Sequence, residues 1–243
     1  MHSRYPHSEV QGEQVVCIKD QVFTESCIKW GNSWFVELSR CAFQSLEVDN
    51  TSELHENLAA MSLSICTYGN PVLREKAVEV MGVTPDLHEL VKEMLETMYA
   101  EKGVGLAAEQ VGRKERLFII DIPAELDLDE NEVRENPAIE MPIVFINPKI
   151  TAHSETIQTG PEGCLSFPGI YANVERWYEV DAEYIDLQGM PKTLHAKGLL
   201  ARAIQHELDH LDGVLFVDRM SSVKKVTLKS KLKRLTKQTK KAL

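Results

Sequence analysis

Between residues 85 and 101, apolar side chains recur as Leu87, Leu90, Val91, Met94, Leu95 and Met98, the three-and-four spacing of one helical face. Thr84-Pro85-Asp86 supplies an N-cap and a proline at the first helical position, and Gly103 marks the stop. The pattern then shifts to short β-rich runs at 116–121, 143–147, 170–174 and 178–187, the last before a Gln188-Gly189 turn. An acidic, proline-containing loop, 123–142, separates the first two. Helical spacing returns over 198–211, with Leu199, Leu200, Ala203, Ile204, Leu208 and Leu211 apolar and Gly213 just beyond. Past residue 221, Val223, Val226, Leu228, Leu232 and Leu235 are spaced so that several fall on one face of a lysine-rich helix, which predicts an apolar stripe. Together these patterns predict an α+β fold: mostly antiparallel strands around a central helix, with an N-terminal helix before them and a basic C-terminal helix after.

Residues 1–60 show no sustained period, and their one apolar patch is 28–43, with Trp30, Trp34 and Phe35. They read as an extension that packs on the body, stays disordered, or is not translated if Met61 is the natural start. Residues 61–220 are expected to form one domain and 221–243 a separate Lys-rich helix.

Composition narrows the function classes. A chain of 243 residues, 43% hydrophobic and 26% charged, can bury a sizeable core. It has no apolar run near the roughly 20 residues of a membrane span and no export signal in its first 30 residues. Five cysteines without short-spaced pairs argue for a reducing compartment, so a cytoplasmic setting is expected. The net charge of -10 hides an asymmetry: the last 23 residues hold nine Lys or Arg and no acid, while the other 220 carry 18 basic and 37 acidic groups. An acidic body disfavours sequence-specific nucleic-acid binding, although the basic end can still touch phosphate.

The central helix contains His206-Glu207-Leu208-Asp209-His210, the H-E-x-x-H pattern. Four residues advance a helix by about 400°, so both imidazoles share a face and can grip one metal ion. No downstream His or Glu supplies a third ligand at a metalloprotease spacing. The candidate is upstream: Cys164, in Pro161-Glu162-Gly163-Cys164-Leu165-Ser166. A lone cysteine is usually a small buried hydrophobe, and the metal-ready helix reverses that reading. Gly103-Val104-Gly105-Leu106-Ala107-Ala108-Glu109-Gln110 lacks the features of a phosphate-binding loop.

In this order, these segments resemble the three signature motifs of peptide deformylases, G-x-G-x-A-A-x-Q, E-G-C-x-S and Q-H-E-x-D-H, at every fixed position. The resemblance spans about residues 63–220. It implies that Cys164, His206 and His210 are metal ligands, with water in the fourth position. It further implies that hydroxide attacks the formyl carbon of an N-formylmethionyl nascent peptide, releasing formate and a free N-terminal Met. Glu207 then shuttles the proton, and the Gln110 amide and Leu165 N–H hold the oxyanion. Gly105, Glu162 and Gly163 are expected to line the substrate, and Leu199 and Ala203 the methionine pocket. Fe(II) is the implied ion; zinc, nickel and cobalt also suit two His and one Cys. Arg176 matches an arginine that braces the active-site loop through Glu162, against the alternative of a solvated strand-end Arg. Asp209 reads either as a support behind a ligand or as a surface ion-pair partner, and Arg202 as a rim residue facing solvent. The basic tail reads as a ribosome contact or as a solvated end. Two rival functions remain: an H-E-x-x-H endoprotease, which Cys164 disfavours, and a degenerate relative that only binds ribosomes, which the intact Glu207 and Gln110 disfavour.

Overall fold

The computed structural model describes residues 63–243 and, ahead of them, the backbone of three strands, β1 (Val10–Ile18), β2 (Gln21–Trp30) and β3 (Ser33–Ser39). These three pair antiparallel in chain order. The chain divides into two units, residues 1–53 and 54–243. The packing expected of the apolar patch at 28–43, and the role of Met61, lie outside the described residues.

In the second unit, α1 (Pro85–Ala100) forms where the spacing predicts. The Thr84 hydroxyl accepts the Leu87 N–H at 3.3 Å, and Leu87, Leu90, Val91, Met94 and Met98 are buried. Short β4 (Gly105–Ala107) leads into a 3-10 turn over Ala108–Val111, then β5 (Leu117–Ile120) and β6 (Ile143–His153). A hairpin of β7 (Ile157–Glu162) and β8 (Ala172–Trp177) precedes β9 (Glu179–Ile185) and β10 (Pro191–Lys197). Next come the central helix α2 (Gly198–Leu211), one-turn α3 (Phe216–Arg219) and α4 (Ser222–Ala242). Five strands make an antiparallel sheet in the order β10-β9-β6-β5-β4, and β7-β8 stands apart.

That sheet is covered on both faces, and β5 shows why. Leu117-Phe118-Ile119-Ile120 is buried at every position. Alternation sends Phe118 and Ile120 into the cluster with Leu200, Ala201 and Ile204 of α2, and Leu117 and Ile119 into the cluster with Leu90, Met94 and Met98 of α1. The α2 helix is buried nearly all round, as a helix inside a core must be. Its N-cap, Lys197, makes no side-chain cap bond. Instead the acidic loop holds this end: Asn136 accepts the Lys197 N–H at 3.0 Å and donates to the Lys197 carbonyl at 3.2 Å. Buried Asp127 fixes Asn136 in turn, at 2.6 Å.

Several boundaries differ from the sequence expectation. The run at 143–147 continues to His153 because Asn147-Pro148 forms an irregularity within the strand rather than its end. Asn147 sits at φ +50° and ties its side chain to both backbone groups of Val80, at 2.9 and 2.8 Å. β7 and β10 were not predicted: both are largely exposed, so neither shows apolar alternation. The tail helix forms, but its stripe is Leu228, Leu232, Leu235 and Thr239. Val223 and Val226 are 76% and 72% exposed, because they lie about 140° and 200° around the helix from Leu228. Thr239 donates to the Tyr68 carbonyl at 3.0 Å and closes this contact.

Leu235→Ala should therefore lower unfolding free energy by about 2–4 kcal/mol. Val226→Ala should change it by less than about 0.5 kcal/mol. Urea unfolding of the two variants checks the revised stripe.

Candidate metal centre

His206 and His210 project from α2 one turn apart, with ring centroids 5.1 Å from each other. Cys164 arrives from the turn after β7, and its Sγ lies 3.2 Å from His210 Nε2. Donor atoms of Cys164, His206 and His210 all lie within 4.8 Å of one another. His206 meets Glu162 Oε2 through Nδ1 at 2.9 Å, which leaves Nε2 as its free donor. Two imidazole nitrogens and one sulfur converging on one point fit a divalent transition ion.

Around this point the predicted residues assemble. The Gln110 amide Nε2 lies 3.3 Å from both Cys164 Sγ and Ser166 Oγ, while its Oε1 accepts the Ala107 N–H at 2.8 Å. The Leu165 N–H makes no hydrogen bond among the described residues. Glu207 is buried beside the triad with Oε2 unpartnered. A β-carbon on Gly105 would stand 2.5 Å from Glu207 Oε1, so only glycine lets β4 approach the carboxylate so closely. The ring of Tyr171 covers Gly163 in the same way. A cleft of about 570 Å³ opens over these groups; Leu199, Ala203, Gly103, Val104 and the exposed Tyr171 also line it.

Behind the triad lies a buried ionic cluster. Arg176 grips Glu162 with two bonds, at 2.9 and 3.0 Å, and reaches Asp209 at 2.6 Å. Arg219 completes Asp209 at 3.1 and 2.6 Å. The reading of Arg176 as a brace on Glu162 therefore holds, and the solvated-Arg alternative fails. The Asp209 carboxylate hydrogen-bonds neither histidine; it is buried and pairs with the two arginines. Arg202 corrects the expectation of a solvent-facing rim residue. It is 7% exposed and bonds Glu162 Oε1 at 2.9 Å, because it lies on the same helical row as His206 and His210, four residues apart. That row was readable in the sequence; the acceptors on the hairpin were not.

The electrostatics follow from burial and partners. Burial alone would raise the Glu162 pKa, but hydrogen bonds from His206 and Arg176 hold it well below the usual carboxylate range. Burial also opposes charge on His206, yet Cys164 and Glu162 keep its pKa well above normal, whereas burial and the neighbouring His206 keep His210 well below. Burial pushes Glu207 up to about 7, partly offset by His206.

The fold and this site define an α+β hydrolase of the metal-dependent kind. The sequence pattern of the polypeptide deformylase family matches residues 62–226. Peptide deformylase 2 of Gloeobacter violaceus is 46% identical over 167 residues, which cover 69% of this chain and 83% of the relative. Peptide deformylase of Prochlorococcus marinus is 50% identical over 157 residues, covering 65% and 72%. The crystal structure of the Synechococcus elongatus peptide deformylase in complex with actinonin is similar at 43% identity and a TM-score of 0.61, over 70% of this chain and 87% of that one. The chain belongs to the peptide deformylase family, whose members are metalloenzymes. It is a hydrolase that removes the N-terminal formyl group from nascent peptides.

One buried acid stands outside this machinery. Both carboxylate oxygens of Glu109 lack partners, and burial pushes its pKa from 4.5 up to about 8. The folded chain keeps this proton while the unfolded chain loses it, so stability falls as pH rises from about 4.5 toward 8. Glu109→Gln should gain stability over the parent at pH 8 and much less at pH 5, measured by urea unfolding of metal-free protein.

Proposed function

We propose that residues 61–220 carry out deformylation at one divalent ion held by Cys164, His206 and His210, with Fe(II) as the working metal and zinc, nickel or cobalt as substitutes. The convergence of the three donor atoms within 4.8 Å, at the base of a cleft, carries this reading. A bound ion supplies Lewis acidity, which brings proton loss from water within reach of neutral pH.

The side chains do the rest. Glu207, with a carboxyl poised near neutrality, takes a proton from the attacking water. The water oxygen bonds to the formyl carbon, and the charge that builds on the formyl oxygen is met by the Gln110 Nε2–H and the Leu165 N–H. The C–N bond then breaks, Glu207 returns its proton to the departing amine, and formate leaves with the new oxygen. Leu199 and Ala203 flank the methionine side chain. Gly105, Glu162 and Gly163 border the peptide, and the glycines allow strand-like pairing with its backbone.

The substrate also suggests a location. Nascent chains emerge from ribosomes in the cytoplasm, and α4 carries all nine basic charges of the tail while its apolar row packs against the body. We assign its lysine face to ribosomal RNA phosphate, without sequence-specific contact and without a membrane. No helix among the described residues is long and apolar enough to cross one.

Glu207→Gln should keep stoichiometric metal and lose about 10²–10⁴-fold in kcat on formyl-Met-Ala-Ser. A variant that retains a third of parental turnover would remove Glu207 from the mechanism. For the tail, charge reversal at exposed Lys229 and Lys233 should abolish co-sedimentation with ribosomes at low salt and leave free-peptide turnover unchanged. Equal co-sedimentation of parent and variant would refute the ribosome contact.

A further inference from the structure

A carboxylate offers about four lone-pair positions, and Glu162 fills all of them with buried donors. Oε1 accepts from Arg176 Nε and Arg202 Nη1, both at 2.9 Å. Oε2 accepts from Arg176 Nη2 at 3.0 Å and from His206 Nδ1 at 2.9 Å. Arg176 takes the carboxylate along one edge, so Arg202 and His206 occupy the two remaining positions, one on each oxygen. Arg202 is itself fixed, donating to the Val174 carbonyl at 3.0 Å and to the Gln158 carbonyl at 3.1 Å, one on each strand of the hairpin. Its backbone lies on α2, one turn before His206.

We propose that Arg202 is a positioning residue for deformylation: by tying Oε1 of Glu162 to both strands of the β7-β8 hairpin, it sets the carboxylate plane and through it the orientation of His206. Without Arg202 the carboxylate still pairs with Arg176 and His206, but Oε1 loses its second donor, so the carboxylate turns more freely and the hydrogen bond that aims the His206 ring has a less fixed origin. Strand β7, which ends at Glu162, also leads to Cys164, so one guanidinium keeps two segments that bear proposed ligands in a common frame. The alternative role is a wall: Arg202 also lines the cleft, where its loss would alter substrate fit alone. The inference rests on His206 as a metal ligand.

Cobalt(II) separates these possibilities, because its d–d absorption reports ligand geometry directly. Metal-free parent, Arg202→Met, Arg202→Lys and Gln158→Ala are loaded with cobalt and then exposed to a chelator. Gln158→Ala is the control: it removes side-chain bonds to the Gly198 and Trp177 carbonyls, at 2.7 and 3.2 Å, and loosens the same hairpin without touching Glu162. Arg202→Met should shift the d–d bands, release cobalt about 10- to 100-fold faster, and lower kcat by more than it raises KM. Arg202→Lys should fall between it and the parent, since one ammonium cannot span the carboxylate and both strands. Gln158→Ala should keep parental bands even where its melting temperature drops.

Parental bands and release rate in folded Arg202→Met overturn the proposal, as does a raised KM alone, or the same spectral change in Gln158→Ala. If the methionine variant does not fold, Arg202→Lys decides in the same way: shifted bands support the proposal and parental bands overturn it. A parent that binds no cobalt overturns the ligand assignment and this inference together, whereas a binding parent with unchanged variants overturns this inference alone.

Discussion

The bond between Glu162 and His206 joins the two parts of the molecule that must meet for a metal to bind. Two of the proposed ligands come from the central helix and the third from the turn after β7, so their convergence lasts only while hairpin and helix keep their relative position. Apolar packing brings them together but tolerates small shifts. A saturated carboxylate does not, because each donor fixes a direction as well as a distance.

This geometry has an energetic cost. Arg176, Arg202, Glu162 and Asp209 are all nearly excluded from water, and desolvating such groups cancels much of their mutual attraction. A hydrophobic cluster of the same volume would stabilise the fold at least as well. What the ions provide is orientation, and the cluster is placed where orientation matters, between the hairpin and the helix face that bears His206. The same logic explains the close approach at Gly105: the sheet edge presses a glycine against Glu207, which keeps that carboxyl buried and aimed.

Much of this could be read from residue order. The two long apolar helices and the fully apolar strand β5 announced themselves because burial imposes a period or a continuous run. The predicted bounds of the central helix, 198–211, coincide with the observed ones. H-E-x-x-H was readable because helical geometry alone brings the two histidines together. The strands at Ile157–Glu162 and Pro191–Lys197 were not, since they are held by backbone pairing and leave most side chains in water. Arg202 was misread for a related reason. A charged residue on a cleft-lining helix defaults to solvent unless its partners are known, and its partners lie 28 to 44 residues away in sequence. Of the five apolar tail positions, Leu228, Leu232 and Leu235 share the buried face as expected, and Val223 and Val226 fall outside it because their helical angle opposes Leu228.

All of this depends on a sulfur and two imidazoles gripping one ion. X-ray absorption at the metal edge of protein prepared without oxygen measures that set directly. One sulfur scatterer near 2.3 Å and two imidazole nitrogens near 2.0–2.1 Å, on the zinc scale, are the expected result for a zinc-loaded sample. A first shell of nitrogen and oxygen alone would make Cys164 a packing residue and contradict the site as described.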